Sequence, residues 1–298
     1  MNLYKKILVA LDGSALSEML IDYTAKVVSI TGLEAVMFNV IPPEDKSVLP
    51  MHQAYVDMAA EKVVQNSREK AVKAWGEVAV GSPAETIKKY ARKKGVDFIL
   101  MATHGRSGFS RIVIGSVADA LLRESRIPIW LIRAGIPEKQ VKDSSPHGRV
   151  MVLLDGSKRA EAALPHVESL AECFGAELTE VELVSVNNVP DIASDYPSDM
   201  PMSWSKHAAA EKARSQLNTE KYLTSVAEKL QSTGLDVKWK VLVGDPAAEI
   251  AGYAGRNNHS LIVMATHLRG RFSRWAFGSV AEKVLLGVTT PVFLVRSK

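Results

Sequence analysis

Apolar residues along this chain fall into two kinds of run. Short blocks such as ILVAL at 7–11, FILMA at 98–102 and LIVMA at 261–265 are apolar at consecutive positions, as strands covered on both faces of a sheet are. Between them lie longer stretches with apolar residues three and four apart, the spacing of helices that bury one side. In the first half the pattern predicts a strand at 6–11, then a helix at 14–30 with Ala15, Leu16, Met19, Tyr23 and Val27 on one side, stopped by Gly32. A strand at 34–40 ends at Pro42 and Pro43, and a long amphipathic helix at 52–75 leads to a short strand at 77–80. Pro83 then opens a helix at 84–94 as its first residue, with Ser82 as N-cap, and Gly95 closes it. A strand at 98–102, a helix at 116–124 and a strand at 128–132 complete the half.

The second half repeats this order, with strands at 150–154, 178–186, 237–243, 261–265 and 292–295 and helices at 160–174, 208–233, 246–257 and 279–286. The repetition extends to the letters. KILVALDGS at 6–14 returns as VMVLLDGS at 150–157, and VGSPAETI at 80–87 as VGDPAAEI at 243–250. MATHGRSGFSRIVIGSVADA at 101–120 returns as MATHLRGRFSRWAFGSVAEK at 264–283, and IPIWLIR at 127–133 as TPVFLVR at 290–296. Asp12 and Asp155 are 143 positions apart, whereas Gly115 and Gly278 are 163 apart, so the second copy carries extra residues before its VGDP motif. Those at 187–205, with Pro190, Pro197 and Pro201, read as a surface excursion or else as a functional lid. The expected organisation is a first domain at 1–134, a polar, proline-bearing linker at 135–149 and a second domain at 150–298. Alternating strands and helices with wholly apolar strands call for the α/β class: two similar open doubly wound domains, each a five-stranded parallel sheet flanked by helices, Rossmann-like in plan.

Composition narrows the class further. With 47% hydrophobic residues over 298 positions the chain has enough apolar surface for two ordinary cores. No apolar run approaches the roughly 20 residues that span a bilayer, and the start lacks a signal-peptide pattern, so no membrane association and a cytoplasmic location are expected. Cys173 is the single cysteine, which excludes an internal disulfide, and its apolar helical surroundings read as core. The formal charge of +4 is spread along the chain. Its one dense basic group, Lys88, Lys89, Arg92, Lys93 and Lys94, reads as a solvated helix face whose last turn complements the helix dipole, so no nucleic-acid partner is expected.

In doubly wound folds ligands meet the carboxyl ends of the strands where strand order reverses. The groups expected there are Asp12, Gly13 and Ser14 after the first strand, Val40 after the second, and the loop 103–116 after the fourth. Gly105, Gly108 and Gly115 let backbone approach an anion closely, and Ser116 opens a helix whose amides point at it. Asp12 sits where a carboxylate meets a metal ion or a ribose hydroxyl, or else where it caps the turn into the first helix. Arg106 and Arg111, and in the second copy Arg269, Arg271 and Arg274, are available to phosphate oxygens or to solvent. His104 and His267 follow threonines in the loops, but no nucleophile and base are paired by the pattern, so no catalytic residue is assigned.

These motifs, LDGS at the start, VGSPAETI in the middle and Gly105 followed after nine residues by Gly115-Ser116, resemble the universal stress protein family, and the duplication resembles its tandem members. The resemblance covers nearly the whole chain. It implies an adenine nucleotide alpha hydrolase-like fold and a ligand drawn from ATP, ADP or AMP, with Mg2+ on Asp12 through the nucleotide. The implied contacts are Asp12, Val40, Met101, Ala102, Gly105, Gly115, Ser116 and Val117, with Asp155, Val186, Met264, Gly278, Ser279 and Val280 as second-half counterparts. Ala102 stands where the family motif has its first glycine; in the second half Ala265 stands there and Leu268 replaces the glycine matching Gly105. A leucine takes positive φ only at a cost, so the second site is expected to be weakened. The Ser-Gly-Gly-x-Asp-Ser loop of related synthetases is missing, so a nucleotide-responsive stress protein, not an enzyme, is implied. The resemblance further implies that the two fifth strands pair antiparallel into an internal pseudo-dimer, and that two chains form a homodimer. The competing expectation is a stress-related interaction protein that binds no nucleotide and uses the duplicated fold as a partner surface.

Overall fold

The computed structural model describes residues 4–67, 72–103, 114–133, 148–188, 204–266 and 278–297. In the first half the elements are β1 (Lys6–Ala10), α1 (Ala15–Thr31), β2 (Glu34–Ile41), α2 (Leu49–Asn66), β3 (Ala74–Val80), α3 (Pro83–Lys94), β4 (Phe98–Ala102), α4 (Ser116–Glu124) and β5 (Ile129–Ile132). The second half has β6 (Gly148–Leu153), α5 (Leu164–Phe174), β7 (Leu178–Asn187), α6 (Trp204–Gln231), β8 (Val237–Val243), α7 (Pro246–Arg256), β9 (Leu261–Thr266), α8 (Ser279–Gly287) and β10 (Val292–Arg296). All ten strands join one sheet in the order β3-β2-β1-β4-β5-β10-β9-β6-β7-β8. Pairing is parallel within each half. The single antiparallel contact among the described strands joins β5 to β10, Trp130 facing Phe293.

Each face of this sheet carries its own core. One is built on α1, α2, α5 and α6, around Tyr23, Phe98, Trp130, Phe174 and Phe293. The other lies under α3, α4, α7 and α8, around Phe38, Ile99, Leu131, Ile262 and Leu294. Trp130 and Phe293 are wholly buried and meet edge to face at 5.8 Å, so aromatic packing crosses the junction of the halves. Tyr4 joins this cluster, and its hydroxyl shares a hydrogen bond of 2.6 Å with His166 Nδ1 of α5. Cys173 is buried.

The structure differs from the sequence expectation in several places. The helix expected at 52–75 begins earlier and ends at Asn66, and Trp75 lies in β3, paired with Val36 of β2. Gly76 explains the close fit of α2 over this strand: a Cβ there would lie 2.5 Å from Asp57 Oδ1 and 2.7 Å from the Asp57 backbone nitrogen. The helix expected at 160–174 is broken into a 3-10 turn, Ala160–Ala163, and α5, which starts just before Pro165 because proline has no amide to continue the ladder. Ser82 occupies the N-cap position of α3 without a side-chain cap bond, whereas its counterpart Asp245 caps Ala248 N at 3.0 Å. On α1 the buried stripe centres on Leu20, Tyr23, Thr24, Val27 and Val28, and Ala15 is exposed. Gly148 and Arg149, expected in the linker, belong to β6; the rest of the linker, most of the excursion at 187–205, and Gly105, Gly108 and Leu268 lie outside the described residues.

Candidate functional site

In the order 3-2-1-4-5 the direction of winding reverses between β1 and β4, and the carboxyl ends of these strands leave a cleft of about 280 Å³. Asp12, Val40, Met101, Ala102, Gly115, Ser116 and Val117 all line it, as the sequence led one to expect. Thr103, Ser17 and Phe38 also line it, together with Pro83 and Ile87 of α3, which the sequence reading passed over. The signal for the last two was present, because Pro83 and Ile87 are the fixed letters of VGSPAETI and recur as Pro246 and Ile250, which line the second cleft.

The first edge of the cleft is the turn from β1 into α1. Gly13 has φ of 76°, a left-handed conformation suited to glycine. Asp12 Oδ1 accepts from Ser14 N at 3.0 Å and from Ser14 Oγ at 2.7 Å, and Ser14 Oγ in turn accepts from Ser17 N at 3.2 Å. Ser14 is therefore the N-cap of α1, and Asp12 holds the turn through one carboxylate oxygen. The opposite edge is the start of α4. Gly115 is its N-cap and brings no side chain to cap it; Gly115 N donates to Thr103 O at 2.7 Å, which fixes the helix against the end of β4. The amides of Ser116 and Val117 have no intrahelical acceptor, as in the first turn of any helix, and the N-terminal end of the dipole adds partial positive charge. Val117 lines the cleft, as the resemblance implied, whereas Ala118, Leu121 and Leu122 of the same helix are buried.

The second half repeats the arrangement in a cleft of about 250 Å³ lined by Asp155, Val186, Met264, Gly278, Ser279 and Val280. Asp155 Oδ1 accepts from Ser157 N at 2.9 Å and Ser157 Oγ at 2.6 Å, matching the Asp12 turn. The described parts of the clefts are thus nearly alike, and the weakening expected from Leu268 rests on a residue outside them. Among the described residues no group of three or more His, Cys, Asp or Glu is placed to hold a metal ion.

The halves differ clearly at the other end of the sheet. By register, Lys6, Glu34, Val36 and Val96 correspond to Arg149, Glu180, Glu182 and His259. In the first half Val36 and Val96 are apolar and buried. In the second, the fully buried side chain of His259 donates from Nε2 to Glu182 Oε2 at 2.6 Å, and Tyr253 donates to Glu182 Oε1 at 2.7 Å. Arg149 lies 2.6 Å from Glu180 and 3.4 Å from Glu182, and Lys238 pairs with Glu180. Burial alone would raise both glutamates. The bonds from Lys238 and Arg149 to Glu180, and from His259 and Tyr253 to Glu182, outweigh it and hold both below the usual carboxylate range. Burial, with donation to Glu182, pushes Tyr253 up to about 12.

A duplicated five-stranded winding with a cleft at each switch point defines a tandem doubly wound α/β protein. The family model described as "Universal stress protein family" matches residues 3–133 and again 147–296, and the chain belongs to that family as a tandem member. A universal stress protein of Mycobacterium tuberculosis is 25% identical over 97% of this chain and 94% of its own length. A universal stress protein of Methanocaldococcus jannaschii is 30% identical over 47% of this chain and 86% of its own length, consistent with one half being a unit. Among solved structures, a universal stress protein from Archaeoglobus fulgidus aligns over 98% of both chains with a TM-score of 0.66 at 22% identity, which is likeness of fold.

Proposed function

We propose that this tandem universal stress protein binds ATP or another adenine nucleotide in its first-half cleft and acts as a nucleotide-responsive regulatory protein in the cytoplasm. The observation that carries the reading is the joining, in one cleft, of apolar lining, a carboxylate and an uncapped helix start. Val40 and Met101 suit an adenine ring. The amides of Ser116 and Val117, with the Ser116 hydroxyl, suit phosphate oxygens. Asp12, the one acidic residue among the described lining, suits a ribose hydroxyl or a Mg2+ carried in by the phosphates. One Asp12 oxygen already holds Ser14, and since the described residues include no group of three or more His, Cys, Asp or Glu placed to hold a metal ion, the ion would arrive with the nucleotide. No residue is assigned a catalytic role, so binding is the activity proposed.

Ligand at a hundred times its dissociation constant stabilises the bound form by about 2.7 kcal/mol. Where only one arrangement of the halves binds, that stabilisation favours it, in the internal pseudo-dimer joined through β5 and β10 and in a homodimer built from two chains. The test is calorimetric titration with ATP and Mg2+ of the wild type and of Gly115→Val. Gly115 has φ of −60° and ψ of 150°, a backbone any residue adopts, so valine fills the cleft without straining the chain. Heat from the wild type that Gly115→Val reduces at least tenfold supports the reading. No heat from the wild type would leave the interaction protein that binds no nucleotide.

A further inference from the structure

The two clefts match in lining, yet the turn that carries the aspartate is held differently in each half. In the first, Asn39 of β2 is buried and its Nδ2 donates to Leu11 O, the residue before Asp12, at 2.6 Å. That orientation turns Asn39 Oδ1 toward His52 of α2, whose Nδ1 donates to it at 2.9 Å. A chain of bonds therefore runs from α2 through β2 to the end of β1. One turn further along α2, Tyr55 donates to Glu18 in the first turn of α1. The helix α2 thus holds the Asp12 turn from both sides.

The second half keeps a tyrosine beside the matching glutamate, Tyr222 and Glu161, but lacks the relay of bonds made by Asn39 and His52. The buried residues Val56, Ala59, Ala60 and Val63 of α2 match Leu223, Val226, Ala227 and Leu230 of α6, which sets Thr219 opposite His52. Strand register sets Ser185 opposite Asn39. Ser185 has a shorter side chain, and Thr219 Oγ1 donates instead to Asn187 Oδ1 at 2.8 Å. Asn187 Nδ2 is buried and meets no partner among the described residues, so the bonds from α6 stop there at β7.

We propose that His52 and Asn39 are positioning residues for the first-half cleft, holding the Leu11 carbonyl, and with it Asp12, in the place a nucleotide meets, which makes the first half the tighter site. The proposal rests on the nucleotide reading above. Neither side chain is among those lining the cleft, so their effect on affinity passes through the Asp12 turn.

The experiment is titration with ATP and Mg2+ in a Gly278→Val background, which restricts the heat to the first half, alongside thermal melts. Asn39→Ser installs the second half's residue, and His52→Ala removes the donor; each should weaken binding about tenfold, the worth of one partly buried hydrogen bond. His52→Asn, which places an amide N–H where Nδ1 stood, should return affinity to within about threefold of the parent. A residue serving only the packing of α2 would lower the melting temperature without this pattern of loss and rescue. If the parent binds and Asn39→Ser and His52→Ala bind within twofold of it, the relay is wrong and the nucleotide reading stands. If the parent releases no heat, both fall.

Discussion

The second half carries a buried polar network where the first half carries two valines, and the duplication supplies the control substitution. Replacing both Glu182 and His259 by valine rewrites the site as Val36 and Val96. His259→Val alone leaves the buried Glu182 carboxylate with Tyr253 and the more distant Arg149, and should destabilise by about 3–5 kcal/mol. Glu182→Val alone strands an imidazole whose Nδ1 already lacks a partner and removes the acceptor of Tyr253, costing about 1–3 kcal/mol. The double variant removes the pair together, and Arg149 keeps Glu180 at 2.6 Å and the Asn257 carbonyl at 3.0 Å. Its stability should equal or exceed the wild type's, as replacement of buried ion pairs by packed apolar residues often gains about 1–4 kcal/mol. The assay is urea unfolding followed by circular dichroism at neutral pH, read as a double-mutant cycle. The reasoning fails if the double variant is less stable than either single one, or if the two losses simply add.

Two further outcomes follow from the same geometry. Glu180 and Glu182 are held below the usual carboxylate range, so their contribution to stability is full above the unfolded value of about 4.3 and is lost as pH falls through the folded values. Urea midpoints measured on acidification should fall further for the wild type than for the double valine variant, and parallel curves would contradict this. Gly76→Ala drives a Cβ into the backbone of α2 at Asp57 and should destabilise by about 1–3 kcal/mol, with early loss of hydrogen-exchange protection along the β2–β3 pair; an unchanged melt would refute the close approach.

How far the sequence could be read depended on the range of the interaction involved. The strand positions, the stop at Gly32 and the two aspartate turns follow from local chemistry, consecutive apolar residues and a glycine where φ is positive, whereas the capping role expected of Asp12 falls to Ser14, which Asp12 holds in place. The duplication made the two clefts legible as well, because one set of letters recurs around both. The end of α2 was not legible, since the amphipathic spacing runs past Asn66 and only pairing with β2, at the price of a glycine under Asp57, makes 74–80 a strand. Ala15 was also misplaced, because helical spacing identifies an apolar face but not where the packing against it begins, and Ala15 is exposed at the start of α1.

The sequence by itself determined the order of elements, their repetition and the place of the candidate site, all matters of period and spacing. Only the tertiary structure decided what stands beside Asp12 and Glu182. Asn39 reaches Leu11, and His259 reaches Glu182, across strands that lie far apart in sequence. Such contacts depend on strand register and helix placement, which are set by the packing of the whole sheet rather than by any local pattern.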